Sequence, residues 1–454
     1  MMHTVKFYGA AGEVTGSNFL LSAENDVQIL IDLGMFQGSE ELEAFNYHPL
    51  AFDPRKLTSV VLTHAHLDHC GRLPLLVKNG YRGKLYMTPA TASLVELTLL
   101  DSAKIVTEDH PDHPLYTIDD VDLLLSQIIT VEYGEPFSIS QFDLVFRDAG
   151  HILGSAIIEI TDTHATGKLK KIVFSGDLGN SPEDLVRPTD IISDADIVVM
   201  ESTYGDRLHP KEDATEIIHN EINTIEKSGG TLLIPAFSVD RTQEILHKIN
   251  HLKFSGKVAL DTPVFLDSPM AIKATMIYEQ FRNLYGTELS NHAKTGDPFN
   301  FPGLSMTEHG RESFKIRNIK GPKIIMAGNG MMMGGRIMRH AVEYLPKTTT
   351  RLLIVGYQAE DTVGRAILEG AKEVSILGHT VTVKATITNA SSMSAHADQN
   401  QLMCWLSRIK DVKRVYLVHG EDPSRVALAA RIKSELPIKD VRIPQMDQVE
   451  DINS

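Results

Sequence analysis

The chain has 454 residues, 42% hydrophobic and 23% charged, with 59 acidic side chains against 44 basic ones and a formal net charge of -15. That length accommodates two or three domains with ample core, and the acidic balance argues against nucleic-acid binding by the surface as a whole. With only two cysteines, Cys70 and Cys404, no signal-peptide core after Met1-Met2-His3, and no apolar run of membrane-span length, a disulfide framework is excluded and a cytoplasmic protein with no membrane partner is expected.

In chain order, short β-branched and aromatic runs predict strands at Val5 to Phe7, Asn18 to Leu21, Gln28 to Ile31, Val60 to Leu62, Asp143 to Phe146, Ala156 to Ile160, Ile172 to Phe174 and Ile197 to Met200. Metal-type residues fall repeatedly just after them: Asp32 after the third, His64 after the fourth, His151 shortly after the fifth, Asp177 after the seventh. Loops that leave one edge of a sheet can gather on a single rim, where scattered ligands meet. The densest stretch is His64-Ala65-His66-Leu67-Asp68-His69, followed by Gly71-Arg72-Leu73-Pro74-Leu75-Leu76, which reads as the opening of a helix. Three imidazoles and a carboxylate suit zinc better than magnesium or calcium, which prefer oxygen shells. Side chains so close in sequence diverge from a common point, so two ions sharing the loop are expected rather than one. The alternative, ordinary hydrogen-bonded histidines, needs a separate partner for every polar group at the strand end.

Beyond Gly205 the pattern changes to longer units: a helix near Asp213 to Lys227, a strand Thr231 to Ile234, a helix Arg241 to Ile249, and strands at Val264 to Leu266, Lys323 to Met326 and Leu352 to Val355. This alternation predicts a parallel sheet with helices on its faces. From Arg311 to Arg351, nine Lys/Arg stand against two acids, which fits a solvated helix face and a polyanion track equally well. Two loops open onto helices in a way that attracts anions: Pro235 to Gln243, with Ser238 and Arg241, and the glycine-rich Ala327 to Gly335. The second is read equally well as a turn whose methionines pack inside. After about residue 386 the first style returns, with Ser394-Ala395-His396 and a strand Val415 to Val418 leading into His419. One metal-binding domain, 1–204 and 386–454, interrupted by an α/β domain over 205–385, is therefore expected.

With these residues in place, nearly the whole chain resembles the metallo-β-lactamase fold, and within it the β-CASP nucleases that include the pre-mRNA 3′-end endonuclease and its bacterial and archaeal relatives. The marks of the fold are Asp32 in Ile31-Asp32-Leu33-Gly34, the His64 to His69 cluster, His151 in Gly150-His151-Ile152-Leu153-Gly154, and Asp177 in Ser175-Gly176-Asp177-Leu178-Gly179. The marks of the branch are Glu201 in Glu201-Ser202-Thr203-Tyr204-Gly205, His396 in Ser394-Ala395-His396-Ala397-Asp398, and His419 in Val418-His419-Gly420-Glu421. The resemblance implies an α/β protein: an αββα sandwich with an inserted β-CASP domain. It implies two Zn2+ ions, one on His64, His66 and His151, the other on Asp68, His69 and His419, with Asp177 bridging. Asp32 would orient a metal-bound imidazole, Glu201 would hold the general acid His396, and Ser394 would contact substrate; Ser238 and Arg241 are expected to contact it from their place at the helix opening. At Asp240 the chain departs from the family, which often has glycine there. The other thirteen of the 19 histidines are expected in surface or packing roles.

The activity expected is hydrolysis of single-stranded RNA by a zinc-dependent ribonuclease, with a cleft between the domains, a basic wall from the insert, and a homodimer by analogy. Two zinc ions roughly 3.5 to 4 Å apart can hold a bridging water whose pKa falls to about 7, so that hydroxide can attack phosphorus; the resemblance implies that the products carry 5′-phosphate and 3′-hydroxyl ends. Two other readings compete. A small-molecule di-zinc hydrolase acting on a thioester, lactone or lactam would be hindered by the insert and would leave Glu201 and His396 without employment. A non-catalytic scaffold sits poorly with a complete set of ligand types.

Overall fold

The computed structural model of the chain describes residues 3–23, 26–164, 171–180, 185–359 and 361–452. It divides into two compact units, one of Met1–Glu183, Arg187–Leu208 and His396–Ser454, the other of Asp184–Val186 and His209–Ala395.

The first unit contains two seven-stranded mixed sheets. One runs in the order Val449–Asp451, Thr4–Gly9, Asn18–Ser22, Gln28–Ile31, Ser59–Val61, Lys84–Met87, Ile128–Thr130; the other Asp440–Arg442, Arg414–Val418, Ile197–Glu201, Lys171–Phe174, Ala156–Asp162, Phe142–Asp148, Pro136–Ile139. Alternation along each strand sends one face inward. Val5, Phe7, Phe19, Leu21, Ile29 and Ile31 of the first sheet meet Leu144, Phe146, Ile158, Ile160, Phe174 and Val199 of the second in one core. Each such side chain, fully buried, stabilises the unit by roughly 1.5–3 kcal/mol. The outer face of the second sheet packs on the helices Gln399–Ser407 and Asp422–Glu435 through Val173, Val198, Met200, Leu402, Leu406, Leu428 and Ile432. Helix Pro89–Asp109, 21 residues long and capped by Thr88, buries Ala90, Leu94, Val95 and Leu99. The layers are those of an αββα sandwich.

Strand direction gathers the chemistry on one rim. Gln28–Ile31 and Ser59–Val61 are parallel with Ile31 opposite Val61, so Asp32 and Thr63 leave the first sheet side by side. In the second sheet Phe174 lies opposite Val199 and Glu201 opposite Val418, again in parallel, so Asp177, Glu201 and His419 leave together. The Phe142–Asp148 and Ala156–Asp162 hairpin turns at the same end, carrying His151. After the fourth strand the expected helix arises in two pieces: Leu67–Cys70 already carries Asp68 and His69, and a second turn, Pro74–Lys78, follows. The break comes because Pro74 cannot donate a backbone hydrogen bond within a continuing helix. Two glycines are fixed by close packing of these loops. A Cβ at Gly34 would lie 1.6 Å from the Asp68 carbonyl oxygen, and one at Gly179 would lie 1.7 Å from that of Gly150.

The second unit holds a six-stranded, wholly parallel sheet in the order Leu304–Met306, Val264–Leu266, Lys323–Ala327, Thr231–Pro235, Thr350–Ile354, Thr386–Asn389. Ala214–Ser228, Arg241–Phe254 and Arg336–Tyr344 are among its helices. The second of these runs five residues past the expected Ile249, there being no helix breaker before Gly256.

Candidate metal centre

Every expected ligand of the first unit lies at the rim, and the donor atoms fall into two groups, His64, His66, His151 and Asp177 in one and Asp68, His69, Asp177 and His419 in the other. Asp177 belongs to both. Its Oδ2 stands 3.4 Å from His64 Nε2 and 3.6 Å from His151 Nε2, while its Oδ1 stands 3.2 Å from His69 Nε2 and 3.7 Å from His419 Nε2. His66 Nδ1 lies 3.1 Å from His64 Nε2 and 3.2 Å from His151 Nε2, and Asp68 Oδ2 lies 3.4 Å from His419 Nε2. Donors held tetrahedrally at about 2.0–2.1 Å from zinc stand about 3.3–3.4 Å apart, so these separations are those of atoms turned toward a shared centre.

The hydrogen bonds behind the donors argue the same way. Asp32, buried and with φ of +58°, accepts from Thr63 N at 2.8 Å, from Thr63 Oγ1 at 2.8 Å and from His69 Nδ1 at 2.7 Å. A carboxylate accepts only, so His69 Nδ1 carries a hydrogen and donates to Asp32, which leaves Nε2 facing the Asp177 carboxylate. Burial would lower the His69 imidazole, but Asp177 and Asp32 outweigh it and hold it well above the ordinary range, so positive charge, a proton on Nε2 or a metal ion in its place, belongs between the two atoms. The buried Asp177 Oδ1 takes no hydrogen bond of its own among the described residues. Thr203 Oγ1 donates to the carbonyl of His419 at 3.2 Å and accepts from its Nδ1 at 2.9 Å, which likewise turns the Nε2 lone pair inward. Such partners fix ring orientation and tautomer in metal sites. Zinc-type ions therefore fit the donor set, through His64, His66, His151, Asp68, His69, His419 and the shared Asp177.

The charge balance also favours cations. Burial, then His69, hold His64 well below the ordinary imidazole range, and burial lowers His66 to about 4, so both are neutral as ligation requires. For Asp177, burial is outweighed chiefly by His419 and His69, which keep its carboxyl well below the usual range.

His396 stands beside both groups, its ring centroid 4.6 Å from that of His151 and 5.6 Å from that of His419. An antiparallel bridge to Gly179 and the bond from Ala397 N to Leu178 O position it. Its Nδ1 is 3.3 Å from Glu201 Oε1. Glu201 is fully buried and accepts from Leu178 N at 2.7 Å and Thr203 N at 3.2 Å. The backbone thus holds the carboxylate that orients the imidazole.

The remaining expected residues belong to the second unit. Ser394 is buried. Ser238 Oγ lies 3.4 Å from Ser268 Oγ. Arg241 is buried and ion-paired to Glu244, with Asp240 Oδ2 3.6 Å away. Asp240 itself adopts φ of +72°, a conformation natural to glycine, and its Oδ1 accepts from Tyr278 Oη at 3.1 Å. The glycine-rich loop is tied down, with Met332 buried, Met333 exposed and Gln358 Nε2 donating to Gly330 O at 3.0 Å. Thr63 and Thr203 escaped the sequence analysis; their one signal is position, directly before His64 and two residues after Glu201. A histidine cluster of the second unit, His247, His251 and His292, escaped it as well.

Comparison with known proteins agrees with this geometry. Residues 12–124 match the metallo-beta-lactamase superfamily, 242–367 the Beta-Casp domain, and 380–444 the Zn-dependent metallo-hydrolase RNA specificity domain. The chain is 39% identical over 425 residues to Ribonuclease TTHA0252 of Thermus thermophilus, covering 93% of this chain and 94% of that protein. It is 32% identical over 456 residues to the transcription termination factor FttA of Methanosarcina mazei, covering 97% and 70%. A solved structure of a protein of unknown function from Enterococcus faecalis shares the fold, with a TM-score of 0.58, 13% identity and full coverage of both chains. The chain belongs to the β-CASP family of metallo-β-lactamase-fold ribonucleases.

Proposed function

We propose that the chain is a zinc-dependent ribonuclease that hydrolyses phosphodiesters of single-stranded RNA to 5′-phosphate and 3′-hydroxyl ends. The observation that carries the reading is one carboxylate, Asp177, shared by two donor groups, with His396 and Glu201 alongside. When bound, a pair of zinc ions supplies ionised solvent near neutral pH and positive charge against the phosphate oxygens. The chain's own residues do the rest. His64, His66 and His151 would hold one ion, Asp68, His69 and His419 the other, and Asp177 both; Asp32 and Thr203 keep His69 and His419 turned toward them. His396, oriented by Glu201, would give the leaving 3′ oxygen its proton, since an alkoxide leaves poorly. Burial lowers the basicity of His396, but Glu201, then Asp177 and Asp68, outweigh it and raise the imidazole to about 9 with no ions bound. Glu201, which holds no metal in the proposed site, is the carboxylate that keeps favouring the protonated donor once Asp177 and Asp68 are ligated. Ser394 and Ser238 are proposed as phosphate contacts. Arg241 would join them by exchanging Glu244 for phosphate.

The name of the Thermus relative, a ribonuclease over nearly the same length, supports RNA as substrate. No helix among the described residues is long and apolar enough to cross a membrane. The free thiols of Cys70 and Cys404 agree with a reducing compartment, and we place the protein in the cytoplasm.

The test is digestion of end-labelled single-stranded RNA by wild type and His396→Ala, with both product ends sequenced and zinc counted. His396→Ala is expected to keep its zinc and lose about 100-fold to 10,000-fold in cleavage rate. Thioester hydrolysis without RNA cleavage would overturn the reading, as would near wild-type cleavage by the variant for the general acid.

A further inference from the structure

The second unit carries its own cluster of imidazoles, sharing no residue with the groups around Asp177. His247 and His251 lie one turn apart on the helix Arg241–Phe254, on the same face, with their Nε2 atoms 3.0 Å apart. His292, on the helix Thr287–Thr295, brings its ring centroid to 5.1 Å from that of His247 and 4.6 Å from that of His251. One nitrogen from each of the three lies within 4.8 Å of the other two. Glu288, one turn before His292, places Oε1 3.7 Å from His251 Nε2.

We propose that His247, His251 and His292 bind a divalent transition-metal ion of the zinc class, with the Glu288 carboxylate or a water as fourth ligand. Three imidazoles select zinc-like ions over magnesium and calcium, and a His-x3-His pair on one helix facing a Glu-x3-His pair on another presents four donors from two helices. The cluster runs from the buried His247 to the exposed His251 and opens into a cleft of about 510 Å³, lined also by Asn250, Asn291 and Asp297, so an ion has a way in. His292 Nδ1 is buried with no hydrogen-bond partner among the described residues, a state that a ligand relieves. The helix Thr287–Thr295 buries only Leu289 of its own side chains, so it has little apolar anchorage, and a shared ion would clamp it to Arg241–Phe254. The ion's role is thus to fix a weakly packed helix. It lies outside the hydrolytic chemistry proposed above.

The experiment counts metal by mass spectrometry on the full chain after exposure to micromolar zinc and dialysis, comparing wild type, the double variant His251→Ala/His292→Ala, and His66→Ala, with anomalous scattering at the zinc edge on wild-type crystals. The double variant is expected to hold one zinc fewer than wild type, with RNA cleavage and circular dichroism unchanged; His66→Ala should keep the ion among His247, His251 and His292. Equal metal content in wild type and double variant overturns the proposal. So does a wild-type crystal without an anomalous peak between these three rings, a result that needs no variant to fold. If the double variant loses one ion while wild type cleaves no RNA, this site stands and the ribonuclease reading falls.

Discussion

Asp32 holds His69 by the nitrogen that faces away from Asp177, so its carboxylate acts on the donor group through the imidazole. The same carboxylate also satisfies the buried backbone N–H of Thr63, the residue directly before His64. Two consequences separate on mutation. Asp32→Asn is close in shape but cannot accept on both oxygens, so His69 loses its fixed tautomer, and affinity for metal should fall by about 10–100-fold with the fold intact. Asp32→Ala additionally leaves the Thr63 N–H buried without a partner, which costs about 1–3 kcal/mol of stability. Zinc competition against a chromophoric chelator reads the first effect and urea denaturation the second. An Asn variant with wild-type affinity would show that His69 is oriented without Asp32. The sequence made Asp32 legible because it ends a strand, and made Thr63 illegible because a threonine in that position reads equally as strand.

At the scale of elements, the basic stretch from Arg311 to Arg351 shows what spacing conceals. Lys323 Nζ donates to the Ile319 and Gly321 carbonyls, Lys347 pairs with Glu343, and Arg351 makes a bidentate pair with Glu221. Arg336 donates to Asp267 at 2.7 Å and to the carbonyls of Thr307 and Glu308. Part of a run of charge in sequence thus becomes the fastening of a parallel sheet, while Arg311, Lys315, Arg317, Lys320, Arg339 and Lys347 stay exposed. Two of those, Arg317 and Arg339, lie over the Phe314 ring. Asp267, fully buried at the end of Val264–Leu266, also accepts from His340 Nε2, Ser313 Oγ and Thr307 Oγ1, and so joins two helices to the strand. Burial would raise its carboxyl, but His340, Ser313, Thr307 and Arg336 outweigh burial and hold it well below the usual range. A carboxyl depressed on folding stabilises fully above its unfolded pKa, and that contribution disappears as pH falls through the folded value. Asp267→Ala should therefore cost about 3 kcal/mol at neutral pH, the lower end for a broken buried pair because Arg336 still reaches water. The difference from wild type, measured by chemical denaturation, should shrink as pH drops below about 4. A difference constant from pH 7 to pH 3 would show that the loss is packing rather than charge.

For the whole molecule, the sequence shows the strand ends and not the strand neighbours. Asp32, His64, Asp177 and His419 are visible as polar residues terminating apolar runs. That Glu201 lies opposite Val418, more than two hundred residues away, depends on sheet order, which no local pattern encodes. What holds those ends together is then a matter of charge. The rim packs the carboxylates of Asp68 and Asp177 among five imidazoles, in a chain whose formal charge is already -15. Ions bound to the folded state alone stabilise it by mass action, about 4 kcal/mol per site when free metal exceeds its dissociation constant 1,000-fold. Removing them should act locally, because the strands behind the loops are fastened by the apolar core between the sheets. Treatment with a strong chelator is therefore expected to lower the unfolding free energy by at least that amount. It should also raise amide hydrogen exchange in residues 62–70, 149–155, 175–179 and 418–421, while strands Thr4–Gly9 and Ala156–Asp162 keep their protection. Zinc returned in stoichiometric amount should restore both. If exchange in those four loops is unmoved after metal loss has been verified by mass spectrometry, the loops are held by their hydrogen bonds to Asp32, Thr203 and Glu201 alone, and the donor groups are preorganised before any ion arrives.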